Sequence, residues 1–126
     1  MFRETVISII IIFSIIILDF VVRNYTKESI KETSTQLTQV KANIEENNGD
    51  IEKSVEKTIE IWKKKYNKLA YFIEHDELEK VNANLVDVKS YINIKDFDMA
   101  ITSINETEFS LKHIEDKIGF NLVNIF

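Results

Sequence analysis

The chain has no cysteine, no proline and only two glycines among its 126 residues. Without cysteine there is no disulfide framework and no thiolate metal site, and a cysteine-free chain suits either redox compartment. With no proline, and glycine confined to Gly49 and Gly119, backbone punctuation is nearly missing. Abundant Ile, Glu, Lys and Asn then leave helix as the regular structure, and no stretch alternates in the manner of a strand. Two isolated glycines cannot cradle a phosphate, and neither a nucleophile elbow nor a Cys-His pair exists. Nucleotide-dependent and acyl-transfer chemistry are both disfavoured, and the expectation is a protein that is not an enzyme and carries no cofactor.

What the chain does have is one long apolar run, Val6 to Val22, VISIIIIFSIIILDFVV. As a helix it spans about 25 Å, short against the roughly 20 apolar residues of an ordinary membrane span but usable. Residues 1–23 are therefore predicted to form a single-pass transmembrane anchor. The uncharged core Val6 to Leu18 is also the length of a signal-peptide core, with Arg3 ahead of it. The stretch that follows, DFVVRNYTKES, offers no small-residue cleavage site and no lipid-accepting cysteine, so an uncleaved signal anchor is expected. Asp19 lies near the far end of the run with Arg23 four residues on, and both can reach headgroups while their stems stay in lipid. The sharper reading makes Asp19 a contact to another transmembrane helix. Arg23, Lys27 and Lys31 follow the run and only Arg3 precedes it, which by the positive-inside rule turns the large domain to the cytoplasm.

Beyond the run, apolar residues step by three and four in coiled-coil fashion, the spacing that stacks side chains on one helix face. Four helices are predicted. The first, about residues 24–46, carries Ile30, Leu37, Val40 and Ile44, with Thr33 filling a gap in the stripe, and nothing prevents it from continuing directly out of the membrane. Asn47-Asn48-Gly49-Asp50 reads as a turn, and Asp50 as the cap of a second helix, residues 51–74. That helix bears the most regular stripe, Ile51, Val55, Ile59, Trp62, Tyr66, Leu69 and Ile73, which predicts a central place in the bundle. Its Glu52, Glu56 and Glu60 precede Lys63, Lys64, Lys65 and Lys68, the order that complements the helix macrodipole. The third helix, 77–93, carries Leu78, Val81, Leu85, Val88 and Ile92 behind a capping box of Asp76 and Glu79. The fourth, 97–118, follows Asp96 with Phe97, Ala100, Ile101, Ile104, Leu111, Ile114 and Ile118, and Gly119 reads as its C-terminal stop. Short connections make neighbours antiparallel. The predicted fold is thus all-α, a transmembrane helix followed by an antiparallel up-and-down four-helix bundle, one domain over 24–126.

Asn48-Gly49-Asp50, then Trp62, then Phe72-Ile73-Glu74-His75-Asp76-Glu77-Leu78, and finally Asn124-Ile125-Phe126 occur in that order. In this the chain resembles a family of small single-span proteins of spore-forming Gram-positive bacteria, defined as a domain of unknown function. The resemblance covers nearly the whole chain, and Phe126 stands where the family has a final Leu. It implies a membrane-anchored helical domain outside the cytoplasm and no known activity. On that basis the expected location is the cell membrane with the bundle extracytoplasmic, against the positive-inside count.

Candidate sites are few. His75 with Asp76, Glu77 and Glu79 is the densest ligand-like group, read chiefly as a helix junction where the end of the second helix favours a cation, with metal or pH sensing as the alternative. A bundle di-iron site needs Glu three residues before each His, and Phe72 and Ser110 occupy those places. His113, beside Ile114, is expected at a bundle edge. The lysine cluster Lys63-Lys64-Lys65 with Lys68 interleaves with Trp62 and Tyr66, but these fall on the buried stripe and the net charge is −5. A nucleic-acid surface is not expected, and anionic lipid is the alternative ligand. The apolar stretch Phe120, Leu122, Val123, Ile125 and Phe126, after the expected stop, is predicted to fold back on the bundle or to contact a partner or the membrane.

The leading functional expectation is a non-enzymatic, membrane-anchored interaction or scaffold module, partnered through residues 6–22 with the membrane and beyond it with a membrane protein or a second copy. The alternative is an extracytoplasmic bundle sensing a small ligand or metal ion through Tyr25, Tyr71, Tyr91 and the His75 group.

Overall fold

A computed structural model describes every residue but Asn48 and Phe126, and side chains as far as Ile118. It contains four helices, α1 (Phe2–Glu46), α2 (Ile51–Leu69), α3 (His75–Asn93) and α4 (Phe97–Ile125), with no strand among the described residues.

The first helix does not stop where the apolar run does. With nothing to interrupt its hydrogen-bond ladder, α1 is one 45-residue rod, about 68 Å long at ~1.5 Å per residue. Its two parts have different surroundings. Every side chain from Met1 to Leu18 is exposed, whereas Thr26, Ser29, Ile30, Thr33, Leu37 and Val40 are buried along one face. The apolar part is long and apolar enough to cross a membrane, and among the described residues nothing packs against it.

Turn chemistry sets most of the other boundaries. Asn47 adopts a left-handed conformation, φ 50°, and its amide returns to the Asn43 and Ile44 carbonyls. Gly49 follows at φ 74°. A methyl added there would meet only the Asn43 side chain at 3.7 Å, so backbone conformation rather than space calls for glycine. Asp50 then caps α2 by accepting from the Lys53 amide at 3.1 Å, and Asp96 caps α4 through the Met99 amide at 3.3 Å.

Three expected boundaries move. The second helix ends at Leu69, not residue 74, because the amides of Tyr71, Phe72 and Ile73 return to the Lys68 and Leu69 carbonyls in a tight turn. Ile73 still packs against the core from this connection, so the apolar phase runs on through a break that no glycine or proline announces. The third helix begins at His75 with Glu74 in the cap position and no side-chain cap, so Asp76 and Glu79 form no capping box. Finally, α4 passes through Gly119 to Ile125. A single glycine costs a helix about 1 kcal/mol relative to alanine and need not end it. The side chains of Phe120, Leu122, Val123, Ile125 and Phe126 lie outside the described residues.

The helices close into a ring in which α1 packs on α2 and α4, and α3 on α2 and α4, without diagonal contact. No helix is central, contrary to the expectation for the second. The α3–α4 interface is the most extensive and α2–α3 the thinnest. Side-chain links between neighbours run in opposite numbering: Glu32–Lys65 and Asn43–Ser54 join α1 to α2, Trp62–Asn82 and Tyr66–Glu79 join α2 to α3, Glu74–Lys117 and Asn84–Ser110 tie α4 to α3 and its approach, and Thr38–Glu108 and Lys41–Asn105 join α1 to α4.

Every expected stripe position is buried or half-buried, with Trp62, Leu37, Leu69, Leu78, Ile104, Leu111 and Ile114 the largest buried side chains. The core also contains small hydroxyls, Thr26, Ser29, Thr33, Thr58, Ser103 and Thr107. Five of them donate to the carbonyl four residues earlier, at 2.7 to 2.9 Å, so these burials leave no donor unmet. Because those carbonyls also belong to the helix ladder, Thr33→Val or Thr107→Val should shift stability by no more than about 1 kcal/mol. Trp62→Ala, which opens a large void, should cost about 3–5 kcal/mol. Urea titration followed by circular dichroism checks both.

Candidate functional site

The His75 group does not assemble. His75 is the first residue of α3, at a helix N-terminus where the dipole opposes a cation, rather than at the C-terminal end expected from the sequence. Its Nε2 lies 3.7 Å from Glu79 Oε1, Asp76 is exposed, and Glu77 is buried and faces α4. Among the described residues no three His, Asp or Glu side chains converge as metal ligands.

Two polar assemblies form instead. The first crosses the thin α2–α3 interface. Trp62 Nε1 donates to Asn82 Oδ1 at 2.6 Å, Asn82 Nδ2 donates to Glu79 Oε1 at 3.2 Å, and the Tyr66 hydroxyl donates to the same oxygen at 2.8 Å. The hydrogen bond to that carboxylate, then desolvation of the phenol, then the carboxylate's charge raise the Tyr66 pKa above the usual 10.0, with Asn82 opposing. Beside this chain lies a mainly apolar groove of about 290 Å³, bounded by Ile59, Trp62, Lys63, Asn82, Leu85 and Val86.

The second assembly joins the start of α3 to the later part of α4. Lys117 Nζ is 3.0 Å from Glu74 Oε2 and 3.8 Å from Glu77 Oε1, and His113 Nε2 approaches the latter oxygen at 3.7 Å. The bond to Glu74 raises the Lys117 pKa above 10.5, with the charges of Glu74 and Glu77 adding to it and partial desolvation opposing. A raised folded-state value means that this contribution to stability is complete below pH 10.5 and is lost as pH climbs through the folded pKa. The sign for Tyr66 is the same, counted from 10.0. His113 does stand exposed at a bundle edge, but its partner across the interface, a buried glutamate, had no signal in the spacing.

Other sequence candidates are dispersed. Asp19 Oδ2 is 3.7 Å from Arg23 Nη2 where the apolar run meets the bundle, and Arg23 Nε and Nη2 are buried with no hydrogen-bond partner among the described residues. In the lysine cluster, Lys65 pairs with Glu32 at 3.1 Å, Lys64 with Glu60 at 3.7 Å, and Lys63 is exposed. Lys65 and Lys68 reach over the Tyr25 ring. Tyr71 is exposed in the α2–α3 connection, and Tyr91 packs on the core near the opposite end of α3, so the tyrosines do not share one pocket with His75.

These features define an all-helical domain carried on a helix long and apolar enough to span a membrane. Residues 20–125 match a family described as Domain of unknown function (DUF4363), and the chain belongs to that family. The match takes in the whole four-helix body and leaves most of the apolar run outside it. No curated protein and no solved structure matches the chain.

Two outcomes follow from the Glu79 hub. Asn82→Leu strips a buried indole N–H of its acceptor and should cost about 1–3 kcal/mol in chemical denaturation. Glu79→Gln should return the Tyr66 pKa toward 10.0, followed by NMR of ring-labelled tyrosine, with the other three tyrosines as internal controls.

Proposed function

We propose that this protein is a non-enzymatic, membrane-anchored interaction module. In this reading the apolar part of α1 crosses the cell membrane once as an uncleaved anchor, and the remainder is one wall of an antiparallel up-and-down four-helix bundle held at the lipid surface. The observation that carries the proposal is the continuity of α1, whose exposed apolar part and buried bundle face belong to one helix. The opposed numbering of the inter-helix links supports the antiparallel arrangement. The non-enzymatic reading draws support from the polar groups, since Glu79, Glu77, Asn82 and Lys117 are engaged in links between helices.

The resemblance noted in the sequence favours a bundle outside the cytoplasm, and the partner is a membrane protein or a second copy of this chain. Protease treatment of intact cells reads the orientation: digestion of the bundle before lysis supports it, and protection until lysis reverses it. Affinity capture from detergent-solubilised membranes, with mass spectrometry, reads the partner. Full-length protein should resist alkaline carbonate extraction and enter solution with detergent, while residues 24–126 alone should be soluble and helical by circular dichroism. Release of the full chain by carbonate would overturn the anchor.

The groove beside Trp62 favours a second reading, a bundle that binds a small apolar ligand between α2 and α3. A ligand held there would raise the melting temperature by mass action.

A further inference from the structure

Beyond the apolar run, among the described residues, the exposed large apolar side chains Val86, Ile94, Met99 and Phe109 are scattered singly along α3, α4 and the turn between them. Tyr71 and Phe72 differ. They are neighbours in the α2–α3 connection, 84% and 49% exposed, with ring centroids 6.3 Å apart. Their place along the molecule gives the pair its meaning. The Lys65 and Lys68 ammonium groups lie 5.5 and 5.7 Å from the centre of the Tyr25 ring, so the last turn of α2 stands beside Tyr25. From there α2 heads toward the apolar run. At ~1.5 Å per residue, Val22, the last residue of the run, is about 4.5 Å below Tyr25 along α1, and the turn that holds Tyr71 and Phe72 opens directly after Leu69, the residue following Lys68.

We propose that the α2–α3 connection is a second lipid contact, with Tyr71 and Phe72 seated at the headgroup–acyl boundary of the bilayer that α1 crosses. This rests on the anchoring reading given above. A surface within one helical turn of the level where an apolar run ends is already among headgroups, and aromatic rings concentrate at that depth. Tyr71 adds a hydroxyl that can remain with the headgroups while its ring enters the boundary. Lys68, exposed one turn earlier, supplies attraction to anionic lipid. The bundle therefore touches the membrane both at the exit of α1 and at this connection, and its near end lies against the lipid.

The absence of native cysteine makes the test direct. Three full-length variants, Phe13→Cys, Phe72→Cys and Ile94→Cys, each carry a nitroxide and are reconstituted into phosphatidylcholine–phosphatidylglycerol vesicles. Collision with oxygen and with a water-soluble nickel complex then reports depth. Ile94 is as apolar and as exposed as the connection but sits at the opposite end of the bundle. The expected result is that the label at 72 loses most of its nickel accessibility relative to 94 and keeps its oxygen accessibility, with the label at 13 deeper still. Equal nickel accessibility at 72 and 94, with 13 buried, overturns the second contact and leaves the anchor standing. Shielding of 72 from both reagents also overturns it, because protein rather than lipid then covers the pair. Nickel access at 13 overturns the anchor and the contact together.

Discussion

The unbroken hydrogen-bond ladder of α1 is the constraint on which the rest depends. A chain with neither proline nor an early glycine has no inexpensive place to bend between Phe2 and Glu46, so the exposed apolar part and the bundle wall share one axis. Three further helices then pack around the polar part alone. Their ring closes because α4 returns to α1, which places the approaches to the bundle's two ends at fixed heights along the rod. The heights of Tyr25, Lys68 and Tyr71 are consequences of that closure.

Polar chemistry within the bundle follows the same economy. Five of the buried hydroxyls are satisfied by their own helices, which lets threonine and serine occupy core positions without recruiting a partner across an interface. Polar groups cross between all four packed pairs of helices, and in the thin α2–α3 seam and at the start of α3 they gather on carboxylates. Glu79 receives Tyr66 and Asn82, while Glu74 and Glu77 share Lys117. The exposed pairs among these contribute little individually, and their value lies in fixing the register of neighbouring helices.

Much of the fold was legible because it is written in short-range terms. Three- and four-residue apolar steps marked the buried faces correctly, including Thr33, and Asp50 and Asp96 announced their helices through local capping. The family match agrees with the resemblance, read from the order of short motifs, insofar as that pointed to a domain of unknown function. Less legible was anything set by tertiary packing. The end of α2 at Leu69 leaves no trace in the stripe, since Ile73, half-buried, packs on the core from the turn as it would have from a helix. Lys95, at φ 62°, shows that a left-handed turn can form without glycine, just as Gly119 shows that a helix can pass through one. The carboxylate hubs were hidden for a related reason. Glu77 and Glu79 are two residues apart and point to different helices, so a cluster dense in sequence is divided in space.

The shortness of the apolar run has a mechanical consequence. A hydrocarbon layer is about 30 Å thick, and a segment of about 25 Å has no surplus length to accommodate by leaning. Inserted in such a layer, α1 is drawn upright, and a rod without a hinge passes that attitude to the whole bundle. Thickening or thinning of the surrounding lipid would then act on the bundle as a change of posture, with the long helix as the lever.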